Sequence, residues 1–261
     1  SAMSKLYNLD NMLISEYIIN IVNILIDGNI ILIGGNMKKA FTLAEVLITL
    51  GIIGIVAAIS IPTLIAKYQK AQTVTTLKES YSILQQAMRL SQDENGEVDS
   101  WDTTLNGHDF FHKYLANYLK WQSEYTSTEL KKTAPRYCLN GTPYTGTFYT
   151  QDISSHFTLL NGSMITTQID GVGMVIGIDV NGLSKPNKVG RDNFMFYLTP
   201  RYGLVPLGGK GTTAYFNYGN RTRNDILKPQ TLYSCNKNQC GYWCSSVIIS
   251  DNWQISGDYP W

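Results

Sequence analysis

The sequence predicts an α+β fold in which one long N-terminal helix, transmembrane at first and then amphipathic, packs on an antiparallel β-sheet head. Residues 41–66 are an apolar run of membrane-spanning length, and residues 67–94 continue it with apolar side chains at helical spacing. From residue 154 onward, alternating or apolar stretches are separated by turn dipeptides, which is typical of antiparallel strands. Residues 95–261 are therefore expected to form a globular head.

The Ile- and Asn-rich residues 1–36 are not predicted to span a membrane, because two acidic side chains interrupt their apolar stretch. Gly34-Gly35 is what a purine-rich ribosome-binding sequence would encode if it were translated in frame. We therefore expect Met37 to be the native start. Residues 1–36 would then be a non-native or mis-started leader, disordered or irregular, and the alternative is a genuine long leader.

Residues 41–66 would form a helix of about 39 Å, enough to cross a hydrocarbon core of roughly 30 Å. Glu45 is the one ionisable side chain in this run. A charge near the bilayer centre costs at least about 2.5 kcal/mol, so Glu45 should have a partner. The candidates are Lys38, Lys39 and a free amine created by cutting the chain nearby.

The start of the apolar run resembles the class III signal of type IV prepilins, a family that includes the pseudopilins of type II secretion. A short basic stub, residues 37–40, precedes the matching residues Phe41, Thr42, Leu43, Glu45 and Pro62. The resemblance implies cleavage between Ala40 and Phe41 by a prepilin peptidase, with N-methylation at Phe41. It also implies that Glu45 pairs with the terminal amine of a neighbouring subunit. Ala40 departs from the glycine usual in the family, and we expect processing to survive, only more slowly.

The resemblance implies a pilin-like structural subunit of a bacterial type IV pilus or type II secretion system, assembled into a helical filament through its N-terminal helix. It does not imply an enzyme. The partners would be identical or related pilin subunits, the prepilin peptidase, an inner-membrane assembly platform and the lipid bilayer. The chain would cross the inner membrane once, with an extracytoplasmic head, before it enters the pilus or pseudopilus. A net charge of +1 predicts no nucleic-acid partner.

A secreted binding protein, whose apolar run is only a signal core, is the alternative function. Ordinary signal peptidase could read Ala58-Ile59-Ser60 and release a protein that starts at Ile61. That interpretation leaves Glu45 without a role.

Within the apolar run, Gly51 and Gly54 offer small surfaces that let helices approach closely in lipid. Pro62 lacks an N–H group and is expected to kink the helix or to melt a turn. After the run, Asn95-Gly96 supplies a signal for the end of the helix. The amphipathic part between them has one stripe of apolar side chains: Val74, Leu77, Tyr81, Leu84 and Met88.

A short second helix is predicted over residues 109–121. Two hairpin signals follow, Asn161-Gly162 and Asp170-Gly171, and further strands are predicted over residues 193–199 and 203–208. These segments predict an antiparallel meander of about four strands, one face of which covers the long helix.

Four cysteines lie in the predicted head: Cys138, Cys235, Cys240 and Cys244. An even count in an oxidising compartment favours two disulfides, for which three connectivities are open. Disulfides near the C-terminus also agree with the pilin resemblance. A zinc site with thiolate ligands is the rival interpretation, although the spacing is not that of a zinc ribbon.

His108 and His112 lie four residues apart in a sequence close to the zincin motif, and they would share one helix face. Asp109 is one methylene too short for the glutamate base of a metalloprotease, and His156 lies across a predicted strand boundary. We predict a helix N-terminus with surface histidines and no protease. A membrane-anchored hydrolase based on this motif is the second rival function.

Residues 179–192 are the best remaining candidate for a binding loop. Major pseudopilins of type II secretion, within the family that the chain resembles, are known for a calcium site in the head. The candidate calcium ligands here are Asp179, Asn181, Asn187 and Asp192. Their spacing fails the EF-hand pattern, and a turn-rich connection closed by Asx hydrogen bonds explains the same residues. No other cofactor is expected.

Overall fold

The first element is a single helix of 53 residues, α1 (Leu43–Asn95). The computed structural model describes residues 42–102, 104–146, 148, 154–169, 173–199, 202–209 and 221–261. The leader, the basic stub and the predicted cleavage site at Ala40 and Phe41 lie outside these residues. The chain divides into two units, Ser1–Ala66 and Lys67–Trp261, and each is described by itself.

In the second unit, α1 buries the stripe that its sequence predicts. Val74, Leu77, Leu84 and Met88 are buried in the core, and Tyr81 is half-buried against it. The helix ends at Asn95, where Gly96 takes a φ of 79° that a side chain would disfavour. The amphipathic part of the helix and its glycine stop are therefore confirmed.

The head contains one antiparallel sheet of six strands, which lie in the order of the chain. The strands are β1 (Trp121–Thr126), β2 (Ser154–Leu159), β3 (Met164–Ile169), β4 (Met174–Asp179), β5 (Asn193–Thr199) and β6 (Gly203–Pro206). Asn161-Gly162 turns β2 into β3, and Gly162 has a φ of 88°. Asp170-Gly171 lies outside the described residues, although Ile169 pairs with Met174 on either side of it. The α+β fold and its antiparallel meander are confirmed.

The second helix is shorter than predicted, and a strand follows it. Helix α2 (Gly107–Tyr114) leads into a 3₁₀ turn (Ala116–Tyr118), and residue 121 already begins β1. No strand was predicted here, because β1 is an edge strand that pairs with β2 alone. Its side chains are mostly half-buried or exposed, so they lack the apolar alternation of an inner strand.

Both faces of the sheet are covered, because nearly every residue of β2 to β5 is buried. On one face, Phe157 of β2 stacks on Phe111 of α2, and Phe196 of β5 contacts Tyr81 of α1. His156 points to the opposite face, since neighbouring residues in a strand alternate. That second face is covered by the segment around residue 136 and by the C-terminal region. Three short helices lie in these parts: α3 (Ser127–Thr133), α4 (Arg223–Leu227) and α5 (Cys244–Ser250).

The C-terminal tail docks on its own head. The guanidinium of Arg223 in α4 pairs with Asp251 and Asp258, which hold the tail on both sides of residue 256. The Tyr259 hydroxyl donates a hydrogen bond of 2.5 Å to the carbonyl of Gly190, and its ring is buried.

Candidate functional site

The first half of α1 presents a continuous apolar surface. All but one of its large apolar side chains are exposed, with exposed fractions from 42% at Ile53 to 77% at Leu43, and Val46 is partly buried. An 18-residue window in this helix has a mean hydropathy of 2.4, so by length and composition the helix can cross a membrane. An exposed apolar surface of this extent indicates a contact with a membrane or with another protein, because its exposure to water is unfavourable.

Glu45 caps the N-terminus of its own helix. Its Oε2 accepts hydrogen bonds from the Thr42 amide at 2.8 Å and from the Thr42 hydroxyl at 3.0 Å. In return the Thr42 hydroxyl accepts from the Glu45 amide at 3.2 Å, which completes a capping box. The two donors to the carboxylate, the amide and the hydroxyl of Thr42, are neutral, so they do not neutralise its charge.

Gly51, Gly54 and Pro62 of α1 lie in its exposed first half. A Cβ atom at Gly51 or Gly54 would meet no described atom within 4 Å. Pro62 lies inside the helix, which continues through it to Asn95. The turn is therefore helical and not melted, and the alternative expectation of a kink stays a prediction. The role of these residues in an assembly surface stays a prediction.

The four cysteines form two disulfides, Cys138–Cys240 and Cys235–Cys244. All four are buried in the layer that covers the second face of the sheet. The first bridge connects the segment after α3 to the C-terminal region, over a sequence separation of 102 residues. Because every thiol is paired, the cysteines serve as structural ties and offer no thiolate to zinc.

The candidate calcium loop is organised around an arginine. Arg136 is buried and forms an ion pair with Asp179, and its Nη1 donates to Asn187 Oδ1 at 2.6 Å. The carboxylate of Asp192 accepts hydrogen bonds from the backbone amides of Asn187 at 2.7 Å and Lys188 at 2.6 Å. A guanidinium thus supplies the positive charge that calcium would bring, and we do not propose calcium here.

The outer part of this loop is closed by Asx hydrogen bonds. The backbone amide of Asn181 donates to Asp179 Oδ1 at 3.1 Å, and the Asn181 side chain donates to the carbonyl of Lys185 at 3.0 Å. Burial raises the pKa of Asp179 to about 7, and Arg136 opposes that rise. Burial also raises the pKa of Asp192, against the two backbone amides that it accepts from.

A separate cluster includes the two histidines that were predicted to be surface residues, His108 and His112. His108 and His112 are partly exposed on α2, and both contact Glu124 of β1. His108 Nδ1 lies 2.6 Å from Glu124 Oε1, and His112 Nε2 lies 3.2 Å from Glu124 Oε2. Partial burial raises the pKa of Glu124, but the hydrogen bonds and charges of the two histidines outweigh it and the net shift is downward. His156 does not belong to this cluster, because its ring contacts Ser127 and Thr166.

Two of these residues, Arg136 and Glu124, were missed from the sequence, and so was the cap between Thr42 and Glu45. The pattern Thr42-x-x-Glu45 is a readable capping-box signal and predicts the observed cap. Arg136 and Glu124 gave no such signal. Each reaches its partners through the folding of the sheet, with Arg136 43 residues from Asp179 and Glu124 12 residues from His112.

The exposed apolar helix and the α+β head have a pilin-like organisation, and comparison with protein-family models supports the same class. The sequence model described as the prokaryotic N-terminal methylation motif matches residues 35–61, the signature of type IV pilins and pseudopilins. With its exposed apolar helix and its α+β head, the chain is a membrane-anchored, type IV pilin-like or pseudopilin-like precursor. The motif implies processing by a prepilin peptidase and assembly with other pilin subunits in general.

The head defines the family more closely. The model of a family of unknown function (DUF6613) matches residues 63–261, and the chain belongs to that family. No curated protein and no solved structure gives a significant match.

Proposed function

We propose that the chain is a structural subunit, and not an enzyme, of a bacterial type IV pilus or type II secretion pseudopilus. In this proposal the peptide bond between Ala40 and Phe41 is cut by prepilin peptidase, and the new amine of Phe41 is methylated. The observation that carries the proposal is the methylation motif over residues 35–61, which covers the start of a helix whose first half exposes its apolar side chains.

The exposed half of α1 supports a role in both membrane and filament. Before assembly, lipid covers its apolar side chains, and the chain crosses the inner membrane once. During assembly, the helices of neighbouring subunits replace lipid, and Gly51 and Gly54 permit close approach because nothing described fills the space beside them. Glu45 then meets the amine at Phe41 of a neighbour, which supplies the charged partner that its capping box lacks.

The disulfides support an extracytoplasmic head. Disulfides persist in oxidising compartments and are rare where thiols are kept reduced. Both bridges lie in the unit that follows the apolar segment, so that unit would face the outside of the inner membrane. The assembly platform that receives such a subunit is the remaining partner in the proposal.

Mass spectrometry of the N-terminus tests the proposal directly. The chain is expressed with and without a prepilin peptidase, and the mature N-terminal peptide is sequenced. We expect a methylated Phe41 only when the peptidase is present. A start at Ile61 would indicate a secreted protein released by ordinary signal peptidase, and an intact Met37 in both strains would indicate an uncleaved anchor.

Ala40→Gly is the matched variant for this experiment, because it restores the residue that the prepilin family usually has before the cut. It should raise the rate of cleavage without changing the position of the mature N-terminus. An unchanged rate would mean that Ala40 does not limit processing, and a new N-terminus would contradict the assigned bond.

A further inference from the structure

Two elements of the head bring three metal-ligating side chains together at its surface. His108 and His112 lie one turn apart on α2, and Glu124 lies on the edge strand β1. The ligand atoms of the three residues lie within 4.8 Å of one another. We propose that this cluster is a binding site for one divalent transition-metal ion of the zinc class, with its remaining coordination position open to water. The site is independent of the filament role, since it involves no residue of α1.

The distances suit a metal after small side-chain movements. On a tetrahedral zinc ion, with Zn–N and Zn–O bonds of about 2.0–2.2 Å, two ligand atoms are about 3.4 Å apart. His112 Nε2 is 3.2 Å from Glu124 Oε2, close to that separation. His108 Nδ1 is 2.6 Å from Glu124 Oε1 and would have to move outward, which its 52% exposure allows.

The backbone that carries the ligands is held firmly on the sheet. The Thr167 hydroxyl donates a hydrogen bond of 2.8 Å to the carbonyl of Gly107, at the start of α2. The ring of His112 meets the rings of Trp121 and Phe157 edge-on, with centroids 5.5 and 5.8 Å away. The aromatic contacts orient one imidazole before any metal arrives, which reduces the entropy that binding must overcome.

The charge around Glu124 also favours a metal. Among the described residues, the other carboxylates that form ion pairs have a lysine or arginine partner: Asp179, Asp225, Asp251 and Asp258. Glu124 alone of this described set is paired only with histidines. Imidazole can lose its proton and bind a cation in its place, whereas guanidinium cannot.

The donor set selects the kind of ion. Two imidazoles and one carboxylate suit zinc, nickel or copper, whereas calcium and magnesium prefer sites made of oxygen alone. Three protein ligands leave one position of a tetrahedral ion free, and the exposure of His108 and His112 gives solvent and the ion access to it. Sites that only stabilise a fold are usually closed by four ligands, so we infer a binding site at the surface and not a structural zinc.

Isothermal titration tests the proposal with zinc chloride as the probe. The full chain is purified in detergent without a histidine tag and titrated with zinc chloride, and with calcium chloride in parallel. We expect saturation at one zinc per chain and no saturable calcium binding. Glu124→Gln and His112→Ala should each weaken zinc binding by at least about tenfold, because each removes one ligand.

Asp109→Asn is the control, because it removes a carboxylate next to His108 that lies outside the cluster; its zinc affinity should match that of the wild type. Circular dichroism of each variant verifies that the head is folded. Cobalt, substituted for zinc, should give the visible absorption of a tetrahedral ion in the wild type and lose it in Glu124→Gln. The proposal is overturned if zinc does not saturate, if Glu124→Gln and His112→Ala bind as tightly as the wild type, or if calcium binds equally well.

Discussion

At the scale of single residues, Glu45 has one observed task and one proposed task, and the two depend on different properties of its carboxylate. Its oxygen accepts hydrogen bonds from Thr42 and so completes the capping box of α1. Its negative charge is not neutralised by these contacts, because the hydroxyl and the amide are both neutral. The proposed amine of a neighbouring Phe41 would neutralise it. Glutamine keeps the first property and lacks the second, so the two tasks can be separated.

Glu45→Gln should therefore leave the helix start and the cleavage after Ala40 intact while it blocks assembly. A capping box accepts Gln in place of Glu, so the helix keeps its first turn. The amine of the neighbouring subunit would be left buried and unpaired, so filament yield should fall by at least tenfold. Yield is measured on sheared filaments, and cleavage by mass spectrometry of the same cells.

Thr42→Val is the matched control for this prediction. It removes the hydroxyl of the capping box, at a cost of about 0.5–2 kcal/mol to the helix start, and keeps the charge of Glu45. Filaments should persist in this variant. Filaments of normal abundance in Glu45→Gln, or their equal loss in both variants, would contradict the charge-pairing account.

Arg136 shows how a buried charge of the chain itself organises part of the head. Its guanidinium connects the segment after α3 to Asp179 at the end of β4 and to Asn187 in the loop beyond. Removing one partner of such a buried pair typically costs about 3–5 kcal/mol, because the other charge is left uncompensated. The oxygen-rich sequence that suggested calcium is thus explained by a cation that belongs to the chain itself.

At the scale of elements, α1 is one helix with two different surfaces. Before residue 66 its large apolar side chains other than Val46 are exposed, and from Val74 onward a single stripe is buried in the head. The first pattern belongs to a helix whose surroundings come from lipid or other subunits, and the second to a helix packed on its own domain. The helix therefore carries both the anchor and the spine of the head.

The two disulfides should stabilise the head unequally, because they close loops of very different length. In the chain-entropy account, a disulfide that closes a loop of about 100 residues stabilises the folded state by about 4.7 kcal/mol. One that closes a loop of about ten residues stabilises it by about 2.6 kcal/mol. The sequence separations are 102 residues for Cys138–Cys240 and 9 for Cys235–Cys244. Replacing the first pair by alanines should lower the free energy of unfolding more than replacing the second pair.

Urea denaturation of the full chain in detergent, followed by circular dichroism, measures this difference. Each double variant keeps the other disulfide, so each serves as the control for its partner. Both pairs are buried, so the loss of sulfur atoms affects packing in both variants. An equal loss, or a larger one for Cys235 and Cys244, would show that local packing around the bridges outweighs loop closure.

The elements that sequence predicts well are those whose signal is local. The apolar helix, the stripe at Val74 to Met88 and the stop at Gly96 depend on neighbours within one or two turns, and all three are observed. Strand β1 was missed because an edge strand with one partner needs little apolar alternation. Arg136 and Glu124 could not be assigned, since their partners come from other elements and only the folded sheet brings them together.

At the scale of the whole head, one buried histidine couples stability to pH. His156 lies on β2 with its ring nitrogens 3.1 Å from the Ser127 hydroxyl and 2.8 Å from the Thr166 hydroxyl. Burial, reinforced by the positive charge of Arg136, lowers the pKa of His156 from its ordinary value of 6.5 to about 3. The folded head therefore keeps the imidazole neutral in mild acid, where the unfolded chain takes up a proton.

Because the unfolded chain binds this proton and the folded head does not, the head becomes less stable as the pH falls. The stability that the neutral His156 contributes is fully present above the pKa of the unfolded chain, and it is lost as the pH falls towards the pKa of the folded head. When the pH falls from 7 to 5, this group alone should lower the free energy of unfolding by about 2 kcal/mol. His156→Gln cannot titrate, so the stability difference between wild type and variant should shrink by that amount over the same range. Other titrating groups, such as Asp179, are shared by both proteins and cancel in the difference. Urea denaturation of both proteins at a series of pH values measures it, and parallel curves would mean that the ring takes up its proton as easily in the folded head as in the unfolded chain.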